Sequence, residues 1–293
     1  MQKQLNLIEQ LLSFLKKDEV HELKGIGLTL YRCDTPIERI SYIQEPSICF
    51  ILRGQKRVFW GQNQLQYGDG QYMCYSVDLP LVGQVLGASE SYPYVGIQMK
   101  LNPTIILQLL IDLAQNNQNQ DEQPSIAVGE IDEPMLDALI RLTHLACCPD
   151  DAAILAPLIQ RELHYRLLKS PLGDMLRQMV ALGGWAQRIS QAITHLKQHF
   201  AEPLHIEKLA EQVNMSVPSF YKYFRQITAI SPLQYQKSLR LTEARRLVKQ
   251  NGLSLSEIAH QVGYESPSQF SREYGRYFGV SPSTEREQKD KSQ

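Results

Sequence analysis

Two stretches near the carboxyl end of the chain repeat one pattern: IEKLAEQVNMSVPSFYKYFRQITAISP at residues 206–232 and LSEIAHQVGYESPSQFSREYGRYFGVSP at residues 255–282. LAEQV at 209–213 aligns with IAHQV at 258–262 at an offset of 49 residues. After a one-residue insertion further positions match, namely Ser216, Phe220, Phe224, Ile227 and Ser231-Pro232 with Ser266, Phe270, Tyr274, Tyr277 and Ser281-Pro282. Such a repeat predicts one structural unit that occurs twice.

Each copy predicts two short helices joined by a turn. In the first copy an apolar stripe ends at Asn214-Met215, and Ser216 then stands at the N-cap position of a second stripe. The second copy has Gly263-Tyr264 at the turn and Ser266 at the cap. A serine hydroxyl accepts a hydrogen bond from an otherwise free amide of the first turn, so it marks a helix start. Helix, turn and helix form the unit whose second helix lies in the DNA major groove. We predict such units over 206–227 and 255–278.

The outward faces of the two second helices carry cations at equivalent positions. Lys222 and Arg272 each stand six residues after their cap serine, and Ser219 and Gln269 are equivalent as well. A cation placed there can meet guanine O6 and N7. The alternative is a solvated surface charge, but the match within a repeat favours contact with a base or a phosphate. Tyr221 either contacts DNA or packs against its neighbours.

Several arginines of this region fit phosphate contacts or solvated faces, which position a protein without reading sequence. The candidates are Arg225, Arg240, Arg245, Arg246 and Arg276. The segment 233–250 between the two units predicts a helix of roughly 27 Å. Successive major-groove faces lie roughly 34 Å apart, so one chain can place both units on one DNA face.

Residues 189–286 resemble the DNA-binding domain of the AraC/XylS family of transcription regulators. The resemblance rests on a first helix at 189–200, both repeat units, the connecting helix and the signature GYESPSQFSREYGRYFGVSP at 263–282. Asn214-Met215 departs from the usual Gly-aromatic pair, and Pro218 stands where many relatives have a base reader. The resemblance implies base contacts by Ser219, Tyr221, Lys222, Ser268, Gln269 and Arg272.

The first 185 residues have a different pattern of apolar and polar residues. Residues 5–15 predict a short amphipathic helix, and residues 26–101 alternate short apolar runs with turn signals such as Gly61-Gln62-Asn63. That spacing is typical of a small antiparallel barrel or sandwich. Helices are predicted at 104–114, 133–146, 152–169 and 174–181, with a loop at 115–124 and a hinge at Gly183-Gly184.

This half resembles the cupin-like sensor and dimerisation module of the same family, through EPSICFILRGQKRVFWG (45–61), GQYMCYSVDLPLVGQV (70–85) and PYVGIQMKL (93–101). The resemblance implies a multidomain α+β protein in which a β-barrel with flanking helices precedes an all-α domain. The expected segments are an N-terminal helix at 1–24, the barrel at 25–101, a helical cover or dimerisation region at 102–184 and the DNA-binding domain at 189–287. The helices at 104–114, 133–146 and 152–169 either contact a second subunit or only cover the barrel. It also implies a homodimer, a small effector of unknown identity, and activation through RNA polymerase, with repression left open.

Enzyme motifs are lacking. No histidine occurs between His21 and His144, whereas metal-dependent cupins hold their ion with two or three histidines. No GxSxG, P-loop or HExxH pattern is present either. We therefore expect no catalysis, no metal and no cofactor, and an enzyme with a DNA-targeting tail is the weaker alternative.

The five cysteines all lie in the first half of the chain. Cys49 and Cys74 fall in predicted strands, and either of them, or Cys33, is a candidate thiol switch that responds to an oxidant or electrophile. The alternative is that they are small buried hydrophobic residues. An odd number without metal spacing fits a reducing cytoplasm.

The two halves of the chain differ in net charge as well as in their pattern of apolar residues. The 293 residues carry a net charge of −1, yet residues 1–185 sum to −6 and residues 186–293 to +5. No apolar run approaches the roughly 18 residues of a membrane helix, and the N-terminus does not resemble a signal peptide. An acidic sensing half joined to a basic half is typical of a sequence-specific DNA-binding regulator. A purely architectural DNA binder would be basic throughout.

Overall fold

The computed structural model describes residues 2–113, 124–181, 184–250 and 252–290. Its helices are α1 (Gln2–Phe14), α2 (Pro103–Asp112), α3 (Glu133–His144), α4 (Pro149–Lys169), α5 (Gly173–Val180), α6 (Trp185–Gln198), α7 (Ile206–Gln212), α8 (Val217–Thr228), α9 (Pro232–Gln250), α10 (Leu255–Gln261), α11 (Pro267–Phe278) and α12 (Pro282–Asp290). Its strands are β1 (Val20–Leu23), β2 (Leu28–Cys33), β3 (Ile37–Gln44), β4 (Ser47–Arg53), β5 (Gln55–Trp60), β6 (Asn63–Gly68), β7 (Gln71–Tyr75), β8 (Leu79–Leu86), β9 (Tyr94–Lys100) and β10 (Ile126–Glu130).

The strands form two antiparallel sheets that pack face to face. The larger sheet, sheet A, has the order β1-β2-β9-β4-β7-β10, and the smaller, sheet B, has the order β3-β8-β5-β6. Within sheet A, Cys49 of β4 lies between Met73 of β7 and Gln98 of β9. The cupin-like sandwich is therefore confirmed, but its strands divide into two sheets and do not close into one barrel.

The alternation of side chains along sheet A separates two cores. On β4, Ile48 and Phe50 point to a layer of helices that includes α1 to α5, and Cys49 and Ile51 point to sheet B. Successive side chains of a strand face opposite sides of the sheet, so a strand buried on both sides is apolar throughout. The result is three layers, with helices on one face of sheet A and sheet B on the other.

Two strands correct the predicted boundaries. The segment 1–24 is not only helical, because Val20–Leu23 pairs with β2 at the edge of sheet A. The segment 102–184 likewise contains Ile126–Glu130, which pairs with β7 at the opposite edge. Both strands have five residues or fewer, so they offer little periodicity. Most of the predicted loop at 115–124 lies outside the described residues.

The C-terminal half is helical throughout its described residues. Its first unit packs around Phe220, Phe224 and Tyr235, and its second around Phe270 and Tyr274. The connecting helix α9 has 19 residues and spans roughly 28 Å. Of the predicted hinge, Gly183 lies outside the described residues, and Gly184 directly precedes α6. In the described part of the chain, no helix is long and apolar enough to cross a membrane.

Candidate nucleic-acid interface

The two recognition helices, α8 and α11, begin and end alike. Ser216 Oγ accepts a hydrogen bond from the Ser219 amide at 3.4 Å, and Ser266 Oγ accepts one from the Gln269 amide at 3.3 Å. Each helix has 12 residues and ends at a left-handed residue, Ala229 with φ 61° or Gly279 with φ 75°. The predicted caps and the repeat are confirmed at both ends of the unit.

Each recognition helix buries one face, and this determines which side chains are exposed to solvent on the opposite face. Phe220 and Phe224 are fully buried on α8, as are Phe270 and Tyr274 on α11. Residues three and four apart share a helix face, so side chains between these aromatics project outward. The exposed set contains five of the six predicted base contacts, namely Tyr221, Lys222, Ser268, Gln269 and Arg272.

Several of these side chains already have neighbours. Ser219 is half-buried, and its hydroxyl accepts from Ser216 Oγ at 2.9 Å. The Gln269 amide nitrogen donates to Glu273 at 3.1 Å. The Lys222 ammonium lies 4.9 Å from the centre of the Tyr223 ring, which stacks on Trp185. Tyr221 has 44% of its surface exposed. This exposure favours an outward-facing Tyr221 over one that only packs against its neighbours.

Arg240 has a structural role, which does not favour its predicted phosphate contact. Its guanidinium donates to the backbone carbonyls of Phe200, Ala201, Glu202 and Gly263 at 2.7 to 3.2 Å. Burial lowers the pKa of this half-buried group. Because four carbonyls occupy its donors, Arg240 ties α9 to the segment after α6 and to the turn of the second unit.

The other predicted phosphate contacts remain on the surface. Arg246 is exposed and pairs with Glu243 one turn away at 2.5 Å. Arg225 and Arg276 are exposed and border a cleft of about 800 Å³ between the DNA-binding helices and sheet B. Arg245, in contrast, bonds the buried Glu285 of α12 at 2.7 Å.

The sensor half contacts the C-terminal ends of both recognition helices. Ser125 Oγ donates to the Ile227 carbonyl at 2.5 Å, near the end of α8. The turn between β5 and β6 abuts the same end, since a Cβ on Gly61 would lie 2.8 Å from the Ala229 carbonyl oxygen. On α11, the Tyr277 hydroxyl lies beside Ser41 of β3. The N-terminal ends, which carry the predicted base contacts, are left exposed.

A cavity of about 570 Å³ lies between the sheets of the sensor half. Its apolar walls include Ile37, Ile43 and Val85, and Lys56 of β5 reaches into it. Lys197 of α6 lines it as well, so the DNA-binding half contributes to its wall. The sequence did not single out Lys56 as a cavity residue. A signal was present, because Lys56, Val58 and Trp60 share one face of β5 and Val58 is buried.

The cysteine environments do not favour the thiol-switch hypothesis. Cys33, Cys49 and Cys74 are buried. Burial raises the pKa of Cys33 to about 11 and raises the pKa of Cys49 and Cys74 as well. The thiolate is the reactive form, so these thiols are poorly reactive at neutral pH. In the described residues, no cluster of three or more His, Cys, Asp or Glu could hold a metal.

Paired helix-turn-helix units behind a sensor sandwich define a DNA-binding transcription regulator. The family description "AraC-type transcriptional regulator N-terminus" matches residues 26–175, and "Helix-turn-helix domain" matches residues 209–288. The chain therefore belongs to the AraC-type transcriptional regulators, as its motifs predict.

Two relatives match over the DNA-binding part. The regulator GbdR of Pseudomonas aeruginosa is 33% identical over 106 residues, which is 36% of this chain and 29% of GbdR. The activator RhaS of Salmonella schwarzengrund is 33% identical over 103 residues, 35% of this chain and 37% of RhaS. The chain thus spans about a third of the length of these relatives.

One solved structure matches over nearly the whole chain. ToxT of Vibrio cholerae has a TM-score of 0.58 at 10% identity, and the match covers 88% of this chain and 97% of ToxT. At that identity the match shows a shared two-domain fold. A second ToxT structure, which holds an unsaturated fatty acid, matches with a TM-score of 0.54 at the same identity over 88% of this chain and 94% of ToxT.

Proposed function

We propose that this chain reads an extended DNA site with α8 and α11 in adjacent major-groove segments. The supporting observation is the pair of equivalent helices whose N-terminal halves expose cations at the same position, Lys222 and Arg272. Ser219, Tyr221, Ser268 and Gln269 complete the proposed base contacts. Arg225, Arg246 and Arg276 are the proposed phosphate contacts.

The proposed regulatory role is activation of transcription in response to a small effector. The effector binds in the cavity between the sheets, which has the size and mostly apolar lining of a ligand site. Its binding alters how the sensor holds the ends of α8 and α11, and so changes DNA affinity. The fatty acid in ToxT supports an effector site in a protein of this fold. Contact with RNA polymerase is what family membership implies.

We also propose a homodimer in the cytoplasm, with α2 and α4 at the subunit contact. Side chains on these helices expose a group of large apolar surfaces, namely Leu107, Ile111, Ile154, Leu155, Leu158 and Tyr165. Ile154 is 70% exposed and Leu158 61%, and an exposed apolar patch of this kind marks a protein contact. Leu158→Glu is expected to shift the chain from dimer to monomer in sedimentation, and an unchanged dimer would reject this surface.

The experiment that tests the proposed DNA reading is selection of bound fragments from a random DNA library by the full chain. We expect a site with two conserved blocks about one helical turn apart. The Lys222→Ala and Arg272→Ala variants should each lose preference in one block only. Binding without any enriched sequence would reject sequence-specific reading.

A further inference from the structure

Lys56 places a positive charge inside the sensor sandwich. It extends from β5 beside Gly83 of β8, where its Cε would lie 3.4 Å from a Cβ on that glycine. Its ammonium lies 5.4 Å from the centre of the Tyr42 ring. Lys56 is partly buried, and its side chain lines the cavity.

No carboxylate neutralises this ammonium in the described part of the chain. Glu45 is the sole acidic residue that lines the cavity, and its carboxylate pairs with Lys100 at 2.6 Å. Lys197, the other lysine of the wall, pairs with Asp78. Buried charges in proteins are paired because removal of a charge from water is costly. Within the described part of the chain Lys56 therefore has no anionic partner, and a bound ligand could supply one.

Among the residues that the structure describes, a hydroxyl group beside Lys56 also lacks a partner. Among the described residues, the Tyr42 hydroxyl, which borders the cavity, is buried and has no hydrogen-bond partner. The buried hydroxyls of Tyr67 and Tyr75 lie close to each other. A phenolic hydroxyl donates well to an anionic oxygen. The lysine and the Tyr42 hydroxyl together form an anion-binding corner.

The remainder of the wall is mostly apolar, with the amide side chains of Gln44, Gln84 and Gln98 among its polar groups. Ile37, Ile40, Ile43 and Val85 line it together with the thiols of Cys33 and Cys49. A polyhydroxylated ligand such as a sugar would leave its hydroxyls unpaired against these side chains, at a cost. We infer that the cavity takes an organic carboxylate with an apolar body, whose carboxylate pairs with the Lys56 ammonium and whose body packs on the isoleucines. This inference rests on the proposed effector site and names its ligand class.

The test is calorimetric titration of the full chain with octanoate and 4-phenylbutyrate, each compared with its primary amide. We expect both acids to bind. Each amide should bind at least about tenfold more weakly than its acid, because a charge-assisted pair is lost. An amide that binds as tightly as its acid would overturn the inference. So would the absence of binding by both acids at millimolar concentration.

Two variants assign the preference to Lys56. Lys56→Met keeps the length of the side chain without its charge, and we expect it to bind acid and amide alike. Arg57→Met is the matched control, because Arg57 lies on the opposite face of β5 and bonds Gln66. It should retain the preference for acids. A preference for acid over amide that survives in a folded Lys56→Met chain would overturn the inference. The comparison of acid with amide in the unmodified chain tests the inference even if the variant does not fold.

A DNA-binding assay separates this inference from the proposed function. An acid that binds the cavity without changing DNA affinity would keep the ligand class and reject the effector role. Enrichment of a specific DNA site by a chain that prefers no acid would keep the DNA-reading role and reject the ligand class.

Discussion

The carboxylate of Asp78 pairs with the ammonium of Lys197 at 2.5 Å, and this contact joins the loop before β8 to helix α6. The Asp78 carbonyl also accepts a hydrogen bond from the Tyr235 hydroxyl of α9 at 3.0 Å. Asp78 thus holds two helices of the DNA-binding half against the sensor. Because Lys197 also lines the sensor cavity, one residue belongs to both the ligand site and the domain contact.

We expect Asp78→Asn to weaken the seating of the DNA-binding half on the sensor. The Asp78 side chain is only 15% exposed, so loss of its charge should lower the free energy of unfolding by about 1–3 kcal/mol. Small-angle scattering should report a larger radius of gyration. Glu90→Gln is the control, since its pair with Lys17 is fully on the surface and should contribute little. Equal behaviour of the two variants would contradict this role of Asp78.

Arg272→Ala should weaken binding to the selected DNA site by about 1–3 kcal/mol and relax discrimination at one base pair. The reason is that a guanidinium meets two acceptors of a guanine edge, and no other base offers both. Affinities for single-base variants of the site, measured at one salt concentration, provide the check. Uniform weakening across all sequences would make Arg272 a phosphate contact.

Arg246→Ala should weaken binding to all sequences alike. Removal of one phosphate contact lowers the slope of log affinity against log salt by about one. Thermal stability should hardly change, since the Arg246 side chain is 54% exposed and pairs only within its own helix. A salt slope equal to that of the unmodified chain would place Arg246 outside the DNA contact.

Arg240→Ala should behave in the opposite way. Four backbone carbonyls lose their donor, so we expect a loss of about 3 kcal/mol in the free energy of unfolding. The salt slope of DNA binding by the folded chain should stay unchanged. Urea unfolding monitored by circular dichroism gives the first quantity, and fluorescence anisotropy of labelled DNA the second. Normal stability combined with a reduced slope would restore Arg240 to the phosphate contacts.

Thiol labelling tests the reassignment of the cysteines. In the native chain at neutral pH, N-ethylmaleimide should modify the exposed Cys147 first and leave Cys33, Cys49 and Cys74 unmodified. The three buried thiols are protonated because burial raises their pKa, so little of the reactive thiolate is present at neutral pH. Mass spectrometry of peptides reports each site, and unfolding in guanidinium should make all five react. Rapid modification of Cys49 or Cys74 in the folded chain would revive the thiol switch.

The recognition helices were predictable because their signals are local. Ser216 and Ser266 cap helices within three residues of themselves, and the aromatic spacing of each helix defines its buried face without reference to the rest of the chain. The second copy of the repeat independently supports the prediction made from the first. The exposed positions of Lys222 and Arg272 follow directly from that spacing.

The sensor was predictable only in outline. Alternating runs indicate strands, but the short strands β1 and β10 become strands by pairing with β2 and β7 at the sheet edges. Which face of β5 turns inward depends on its register with β8, and this pairing places Lys56 beside Gly83. Local propensity does not contain that information, since sheet pairing depends on distant partners.

The sequence by itself determined the family, the two helix-turn-helix units and the division into an acidic and a basic half, because caps, helical periodicity and charge are properties of neighbouring residues. Only the tertiary structure decided that Lys56 lines the cavity beside the Tyr42 hydroxyl, that Arg240 binds backbone carbonyls, and that Asp78 joins the two halves. Each of these depends on contacts between residues more than ten positions apart, and folding alone brings them together.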